Sequence, residues 1–86
     1  MTDSLTQTIK NYIMEEFLPG ENPDELTTTT PLISGGILDS IATLKLVMFM
    51  EEKYSVNFEP HEVDKEHLDN LESIVKVVLS KNPTVA

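Results

Sequence analysis

The stretch "GGILDSIATLKLVMFMEEKY", residues 35–54, decides the fold of this 86-residue chain. Two glycines and an apolar pair lead to Asp39 and Ser40, and a long apolar run follows at once. Aspartate is a favoured helix N-cap, so we predict a helix from Ser40 to about Tyr54. This helix is apolar on more than one side, which is typical of the centre of a small bundle or of a helix that presents a face to a partner. We interpret its methionines and Phe49 as core residues.

Three further helices are predicted around this central one, and no stretch shows the alternation of a β-strand. Apolar residues recur at helical spacing in two other long segments, and a shorter segment has room for one or two turns. A chain of this size makes one small domain. We therefore predict an all-α fold, a four-helix bundle with a long first loop and a short third helix, in a single domain over residues 1–86. Its elements are helices over about 4–17, 40–54, 61–67 and 70–81, followed by a frayed tail at 82–86.

Polar residues mark the predicted starts of the outer helices. Asp3 or Ser4 is the candidate N-cap of the first helix, and Asp69 or Asn70 that of the fourth. Asp69 followed by Glu72 resembles a capping box, with aspartate in the place of serine or threonine.

The connection between the first two long helices, residues 18–38, contains three prolines, three glycines and four consecutive threonines. Loops this long without regular structure are uncommon in compact domains and are often functional. We expect Leu26, Leu32 and Ile33 to hold this loop against the core.

Charge and composition exclude several classes of protein. Fifteen acidic residues stand against six lysines, for a net charge of −9, so binding to nucleic acid or to an anionic membrane is excluded. The chain has no cysteine, hence no disulfide and no thiolate metal site, which fits a cytoplasmic protein. The N-terminus lacks the features of a signal peptide, and we expect a free-standing monomer that is steered toward basic surfaces of other proteins.

No catalytic or metal-binding constellation is recognised in the sequence. The two histidines, His61 and His67, are not spaced to share one helix face, and no further ligand pattern accompanies them. A hydrolase would need a base for Ser40; neither of the two histidines is near it in sequence, and the chain is too short to build an oxyanion hole around them. We therefore expect no metal site and no enzymatic activity of the chain itself.

The pair Asp39-Ser40 allows two interpretations. It can be a capped helix start in which the serine is incidental. Alternatively, Ser40 can be a site of attachment, because an anionic group on its hydroxyl would lie beside the positive N-terminus of the helix.

Residues 32–80 resemble the acyl carrier proteins. "GILDSIATLKLVMFMEEKY" is similar to the modification site and second helix of that family, whose signature is Asp-Ser-Leu followed by Leu-Val-x-x-Leu-Glu-Glu. "EVDKEHLDNLESIVKVV" is similar to its third and fourth helices. Length, acidity, helix order and the long first loop agree with the family as well.

The resemblance implies that Ser40 carries a covalent 4′-phosphopantetheine arm, transferred from coenzyme A by a phosphopantetheinyl transferase that recognises Asp39. The thiol of that arm would hold an acyl or aminoacyl group as a thioester, and tethering would raise its effective concentration at each enzyme. The implied partners are this transferase, an adenylate-forming acyl or aminoacyl ligase, and downstream synthase, oxidising or tailoring enzymes. The implied partner-binding residues are Ile41, Lys45, Glu51 and Glu52.

The central helix departs from the family at two positions. Carriers of bulk fatty-acid synthesis usually have acids where this chain has Ala42 and Lys45, so the usual electrostatic contact with fatty-acid enzymes is weakened. Gly36, three residues before Asp39, also looks more like stand-alone carriers of specialised pathways. We therefore favour secondary metabolism, of polyketide or nonribosomal-peptide type, over bulk fatty-acid synthesis. The alternative is a small acidic helical interaction module without a covalent cofactor.

Overall fold

The computed structural model describes the backbone of residues 2–85 and the side chains of residues 4–85. Within this range the chain forms helices and turns and has no strand. In chain order the helices are α1 (Thr2–Phe17), α2 (Ser40–Tyr54), α3 (Lys65–Leu68) and α4 (Leu71–Lys81). Helix α1 packs against α2 and α4, and the short α3 packs against α4. The predicted all-α bundle with a long first loop is thus confirmed.

The apolar stripes of the helices meet in one core. Leu5, Ile9 and Ile13, four residues apart along α1, are all buried. They pack with the inward side of α2, where Leu46 and Met50 are fully buried, and with the apolar stripe of α4. This spacing places successive side chains on one face of a helix, as the periodicity predicted.

The interpretation of the α2 side chains as core residues is right for some and wrong for others. Met50 is fully buried, and the half-buried Phe49 stacks on Tyr12 with ring centroids 4.0 Å apart. Met48, however, is 65% exposed, because it lies on the opposite side of the helix. Helix α2 therefore has an apolar side that the bundle leaves uncovered.

The first and third helices differ from the prediction. Helix α1 begins at Thr2, so Ser4 lies inside its first turn and does not precede the helix; the side chain of Asp3 is outside the described set. The predicted third helix is divided into a 3-10 turn over Pro60–Glu62 and α3. Asp64 explains the division: its backbone is extended, and its carboxylate caps α3 by accepting a hydrogen bond from the His67 N–H at 3.1 Å.

Helix α4 is capped by Asn70, whose Oδ1 accepts a hydrogen bond from the Ser73 N–H at 2.8 Å. The expected capping box between Asp69 and Glu72 does not form, because the Asp69 carboxylate is turned toward the long loop. At the end of α4, residues 83–85 form a further 3-10 turn that packs Val85 against the core, so the tail is more ordered than predicted up to residue 85.

Replacing Asn70 by alanine is expected to lower the free energy of unfolding by about 1 kcal/mol, the usual cost of a lost N-cap. Urea unfolding followed by circular dichroism measures this change. Asn70→Asp is the control, since aspartate caps as well as asparagine and should leave the midpoint nearly unchanged. Equal stability of the alanine variant and the wild type would contradict the assignment of Asn70 as the cap.

No helix within residues 2–85 combines the length and the apolar character needed to cross a membrane.

Candidate functional site

The long loop is held to the bundle by three leucines. Leu26, Leu32 and Leu38 are buried, whereas Ile33 is half-buried. The expectation that Leu26, Leu32 and Ile33 contact the core is confirmed, with Ile33 only partly buried, and Leu38 is an additional anchor that sequence reasoning missed. Leu38 immediately precedes Asp39 and Ser40, so the last anchor of the loop lies directly beside the predicted site.

A tight turn over residues 32–38 brings the chain to the start of α2. The Leu38 N–H donates to the Leu32 carbonyl at 2.9 Å, which closes the turn. Gly36 has a φ of +81°, a conformation that other residues rarely adopt. A side chain at Gly35 would come within 2.3 Å of the Pro31 carbonyl oxygen. Both glycines are therefore required by the shape of this turn.

The carboxylate of Asp69 holds the same turn from the other side. Its Oδ1 accepts hydrogen bonds from the N–H groups of Ile33 and Ser34, both at 2.8 Å, and its Oδ2 accepts one from the Ser34 hydroxyl at 2.7 Å. The Leu32 N–H in addition donates to the Asp69 carbonyl. The hydrogen bonds from the N–H and the hydroxyl of Ser34 are the main cause that lowers the pKa of Asp69 from its ordinary value. Asp69 was predicted only as a helix cap, so this role was missed.

Asp39 and Ser40 form the start of α2 as predicted. The Asp39 Oδ1 accepts a hydrogen bond from the Ala42 N–H at 2.7 Å, and the Asp39 carbonyl accepts one from the buried Thr43 hydroxyl at 2.8 Å. Ser40 is the first helical residue, its side chain is exposed, and the first turn contains no acidic residue. The hydroxyl of Ser40 is thus accessible at a helix N-terminus that favours an anionic group.

An open cleft of about 510 Å³ lies beside Ser40, between the start of α2 and the segment before α3. Its walls combine apolar side chains with a few polar groups. The apolar part of the lining is Ile33, Leu38, Leu44 and Val63, and the polar part is Asp39, Ser40, Thr43 and Asp64.

Comparison with known proteins shows a relative that is similar over most of the chain. The probable acyl carrier protein PigG of Serratia sp. (strain ATCC 39006) is 34% identical over 68 residues, which span 79% of this chain and 77% of that protein. No protein-family model matches the chain. The chain belongs to the acyl carrier protein family. Proteins of this family generally carry phosphopantetheine.

One side of α2 in this acyl carrier protein is exposed and mostly apolar. Ile41, Leu44 and Met48 are 66%, 54% and 65% exposed, and their spacing places them on one face next to Ser40. Lys45 and Glu52 are exposed at the same helical spacing. This surface, which we call the α2 face, consists of Ile41, Leu44, Lys45, Met48 and Glu52.

The structure changes the interpretation of two further positions of α2, Glu51 and Ala42. Glu51 is half-buried, and its Oε2 accepts a hydrogen bond from the Phe58 N–H at 2.9 Å, so this carboxylate holds the connection after α2. Ala42 is buried at 8% exposure, so the departure at this position does not change the surface charge of the α2 face. Of the two departures from the family pattern, only Lys45 alters what a partner meets.

The two histidines lie closer together than their spacing suggested. The 3-10 turn and α3 bring the rings of His61 and His67 to a centroid distance of 6.4 Å. The His67 Nδ1 is 2.9 Å from the Asp64 Oδ1; this hydrogen bond raises the pKa of His67 and lowers that of Asp64. One carboxylate oxygen each of Asp64 and Glu66 and a ring nitrogen of His67, which are atoms that could bind a metal ion, lie within 4.8 Å of one another. Of these three residues only Asp64 lines the cleft beside Ser40. The cluster belongs to the segment around α3 and not to the start of α2.

Proposed function

We propose that this chain carries an acyl or aminoacyl group as a thioester on 4′-phosphopantetheine attached to Ser40, and delivers it between enzymes of a biosynthetic pathway. The observation that carries the proposal is the exposed Ser40 at the N-terminus of α2, capped by Asp39, in a member of the acyl carrier protein family. The chain is then a substrate of its partner enzymes and has no catalytic residue of its own.

The residues around Ser40 fit a phosphopantetheine arm. The phosphate ester would lie at the N-terminus of α2, where the helix dipole stabilises negative charge. The first turn after the Asp39 cap holds no acidic residue, and one oxygen of the Asp39 carboxylate is engaged with the Ala42 N–H. The cleft beside Ser40 offers apolar walls for the hydrocarbon parts of the arm and the Thr43 and Asp64 side chains for polar contacts. The bound group supplies the thiol that the cysteine-free chain lacks.

The roles of the chain's own residues follow from their positions. Ser40 provides the attachment oxygen, and the Asp39 cap holds the first turn of α2 so that this oxygen is presented to solvent. Asp39 has the further role of orienting the transferase and its metal ion, since one oxygen of its carboxylate is not used by the cap.

We assign the α2 face as the surface that partners bind. Its apolar stripe next to Ser40 is the kind of exposed patch that marks protein interaction sites. Ile41, Lys45 and Glu52 belong to it, whereas Glu51 is engaged with the Phe58 backbone and is a weaker candidate for partner contact. The proposed partners are a phosphopantetheinyl transferase, an adenylate-forming acyl or aminoacyl ligase, and a downstream synthase or tailoring enzyme.

We favour a specialised pathway of polyketide or nonribosomal-peptide type over bulk fatty-acid synthesis. The support is the exposed Lys45 and the apolar stripe, which together replace an acidic docking surface close to Ser40. Enzymes that bind acidic carriers present basic surfaces, and a cation on the carrier then costs affinity through like-charge repulsion.

The first experiment is intact-protein mass spectrometry after incubation with coenzyme A and a broad-specificity phosphopantetheinyl transferase. The addition of one phosphopantetheine supports the carrier function. A folded, helical chain that gains no mass contradicts it and leaves the acidic interaction module as the better explanation of the α2 face.

Lys45→Glu is expected to make the phosphopantetheine-loaded chain a better substrate of the malonyl transferase of bulk fatty-acid synthesis. We expect the kcat/KM of the variant to be about threefold to tenfold higher than that of the wild type. The reason is that one like-charge contact becomes an opposite-charge contact at the edge of an interface. Assays at low ionic strength make the difference largest.

Lys53→Glu is the matched control, because it makes the same charge change at an exposed position of α2 outside the α2 face. An equal gain for both variants would show a general effect of net charge and would contradict the specific role of Lys45. A wild type that serves the fatty-acid enzyme as well as that enzyme's own carrier does would contradict the specialised pathway.

A further inference from the structure

Three hydrogen-bond donors of the long loop converge on one carboxylate that follows α3. They are the N–H groups of Ile33 and Ser34 and the Ser34 hydroxyl, and all three lie within 2.8 Å of an Asp69 oxygen. The partners are separated by 35 and 36 residues in sequence, so this contact joins two distant parts of the chain. The contact lies outside α2, and its loop residues precede Ser40 in the chain.

We propose that Asp69 is a positioning residue that fixes the loop before α2 and thereby sets how efficiently Ser40 is presented to the transferase. The inference rests on the proposed function and deepens it by adding a residue outside the attachment site. We call the contact of Asp69 with Ile33 and Ser34 the Asp69 latch.

The hydrogen bonds of the loop connect the latch to the attachment residue. Ile33 and Ser34, which are held by Asp69, follow Leu32, whose carbonyl receives the Leu38 N–H at 2.9 Å. The next residue, Asp39, then caps α2 at Ser40. A loop released at residues 33–34 is therefore free to shift the chain that enters α2.

The latch is a second restraint that acts beside the buried leucines. Leu32 and Leu38 keep the loop against the core without Asp69, because their side chains are fully or almost fully buried. Loss of the carboxylate therefore loosens the loop without unfolding the bundle. It lowers the fraction of molecules in the presenting conformation, and an apparent affinity falls in proportion to that fraction.

The chemistry of the contact requires an acceptor at residue 69. An ionised carboxylate accepts through both oxygens and matches two N–H groups and one hydroxyl. Asparagine retains one acceptor oxygen for the two N–H groups, and its amide can donate to the Ser34 hydroxyl. Alanine retains none of these contacts. Asp69→Asn is thus the conservative variant and Asp69→Ala the disruptive one.

The test is the steady-state kinetics of phosphopantetheine transfer to the purified full chain. We expect Asp69→Ala to raise the KM for the carrier about tenfold and to leave kcat within about twofold, because the presenting fraction falls and the chemistry at Ser40 is unchanged. Asp69→Asn should restore most of the wild-type KM.

Asn70→Ala is the matched control, since it removes a cap at the neighbouring position and leaves the loop donors in place. A structural effect alone would raise KM in this variant as well. Amide hydrogen exchange gives an independent measurement: the Ile33 and Ser34 amides should exchange at least about tenfold faster in Asp69→Ala, with the α2 amides unchanged.

Each outcome separates this inference from the proposed function. A wild type that gains no phosphopantetheine overturns the proposed function and the latch role with it. A wild type that is modified while Asp69→Ala keeps the wild-type KM overturns the latch role alone. An equal rise of KM in Asn70→Ala and Asp69→Ala also overturns it, because stability then explains the effect.

Discussion

Ser40→Ala is expected to abolish modification by phosphopantetheine completely while the bundle stays folded. Alanine has no oxygen with which to form the phosphate ester, and the other residues of the first turn offer no hydroxyl at an exposed position. Within the described residues the Ser40 hydroxyl makes no hydrogen bond, and its side chain is exposed. The free energy of unfolding should therefore change by no more than about 0.5 kcal/mol.

The measurement is intact mass after an exhaustive reaction with coenzyme A and the transferase, with thermal unfolding by circular dichroism alongside. Ser34→Ala is the matched control for the end point, because Ser34 is an exposed serine of the loop that precedes α2. Its hydroxyl belongs to the Asp69 latch, so the final mass and not the rate is compared. This variant should still gain one phosphopantetheine at the end point. A gain of mass by Ser40→Ala would place the attachment elsewhere, and full function of the unmodified variant in its pathway would favour a module without a cofactor.

The start of α2 was predictable because its information is local. The N-cap hydrogen bond joins the Asp39 carboxylate to the Ala42 N–H, so it depends only on residues 39–42. The structure contains this hydrogen bond as predicted. The two glycines likewise indicate a turn from their identity alone, and Gly36 adopts a φ that favours glycine. The order of the helices followed from apolar spacing for the same reason.

The Asp69 latch was not predictable because its partners lie far apart in sequence. An aspartate next to an asparagine before an apolar stripe offers two equivalent caps, and only the folded chain shows that Asn70 takes the helix and Asp69 takes the loop. Similarly, a carboxylate such as Glu51 looks like surface charge until the fold brings the Phe58 N–H to it.

The exposed side of α2 could not be predicted, because the helix is apolar on most of its sides. When a helix is apolar on most sides, the periodicity does not tell which side meets the core. Leu46 and Met50 face inward, and Leu44 and Met48 face outward, although the four residues are chemically alike. The uncovered apolar side follows only from the fold, in which α1 packs against the other side of α2 and Leu46 and Met50 enter the common core.

Asp39→Asn is expected to reduce the kcat/KM of phosphopantetheine transfer about a hundredfold while stability is preserved. Asparagine caps a helix as well as aspartate does, and its side-chain oxygen can still accept the Ala42 N–H. The substitution removes only the negative charge, which we expect the transferase to need for its metal ion and for orientation. A hundredfold loss corresponds to about 2.7 kcal/mol of transition-state stabilisation, a usual magnitude for a charged group that acts on a metal-bound reactant.

Asp39→Ala separates the two roles of this side chain. It should lose the same activity and in addition about 1 kcal/mol of stability, because the cap is removed as well. Transfer kinetics and urea unfolding on both variants give the comparison. If Asp39→Asn is modified at the wild-type rate and only Asp39→Ala is slow, the aspartate acts through the helix cap alone, and the charge next to Ser40 has no part in recognition. If both variants are slow and only the alanine variant is less stable, the charge acts on the transferase directly, because α2 then begins at Ser40 as firmly in the asparagine variant as in the wild type.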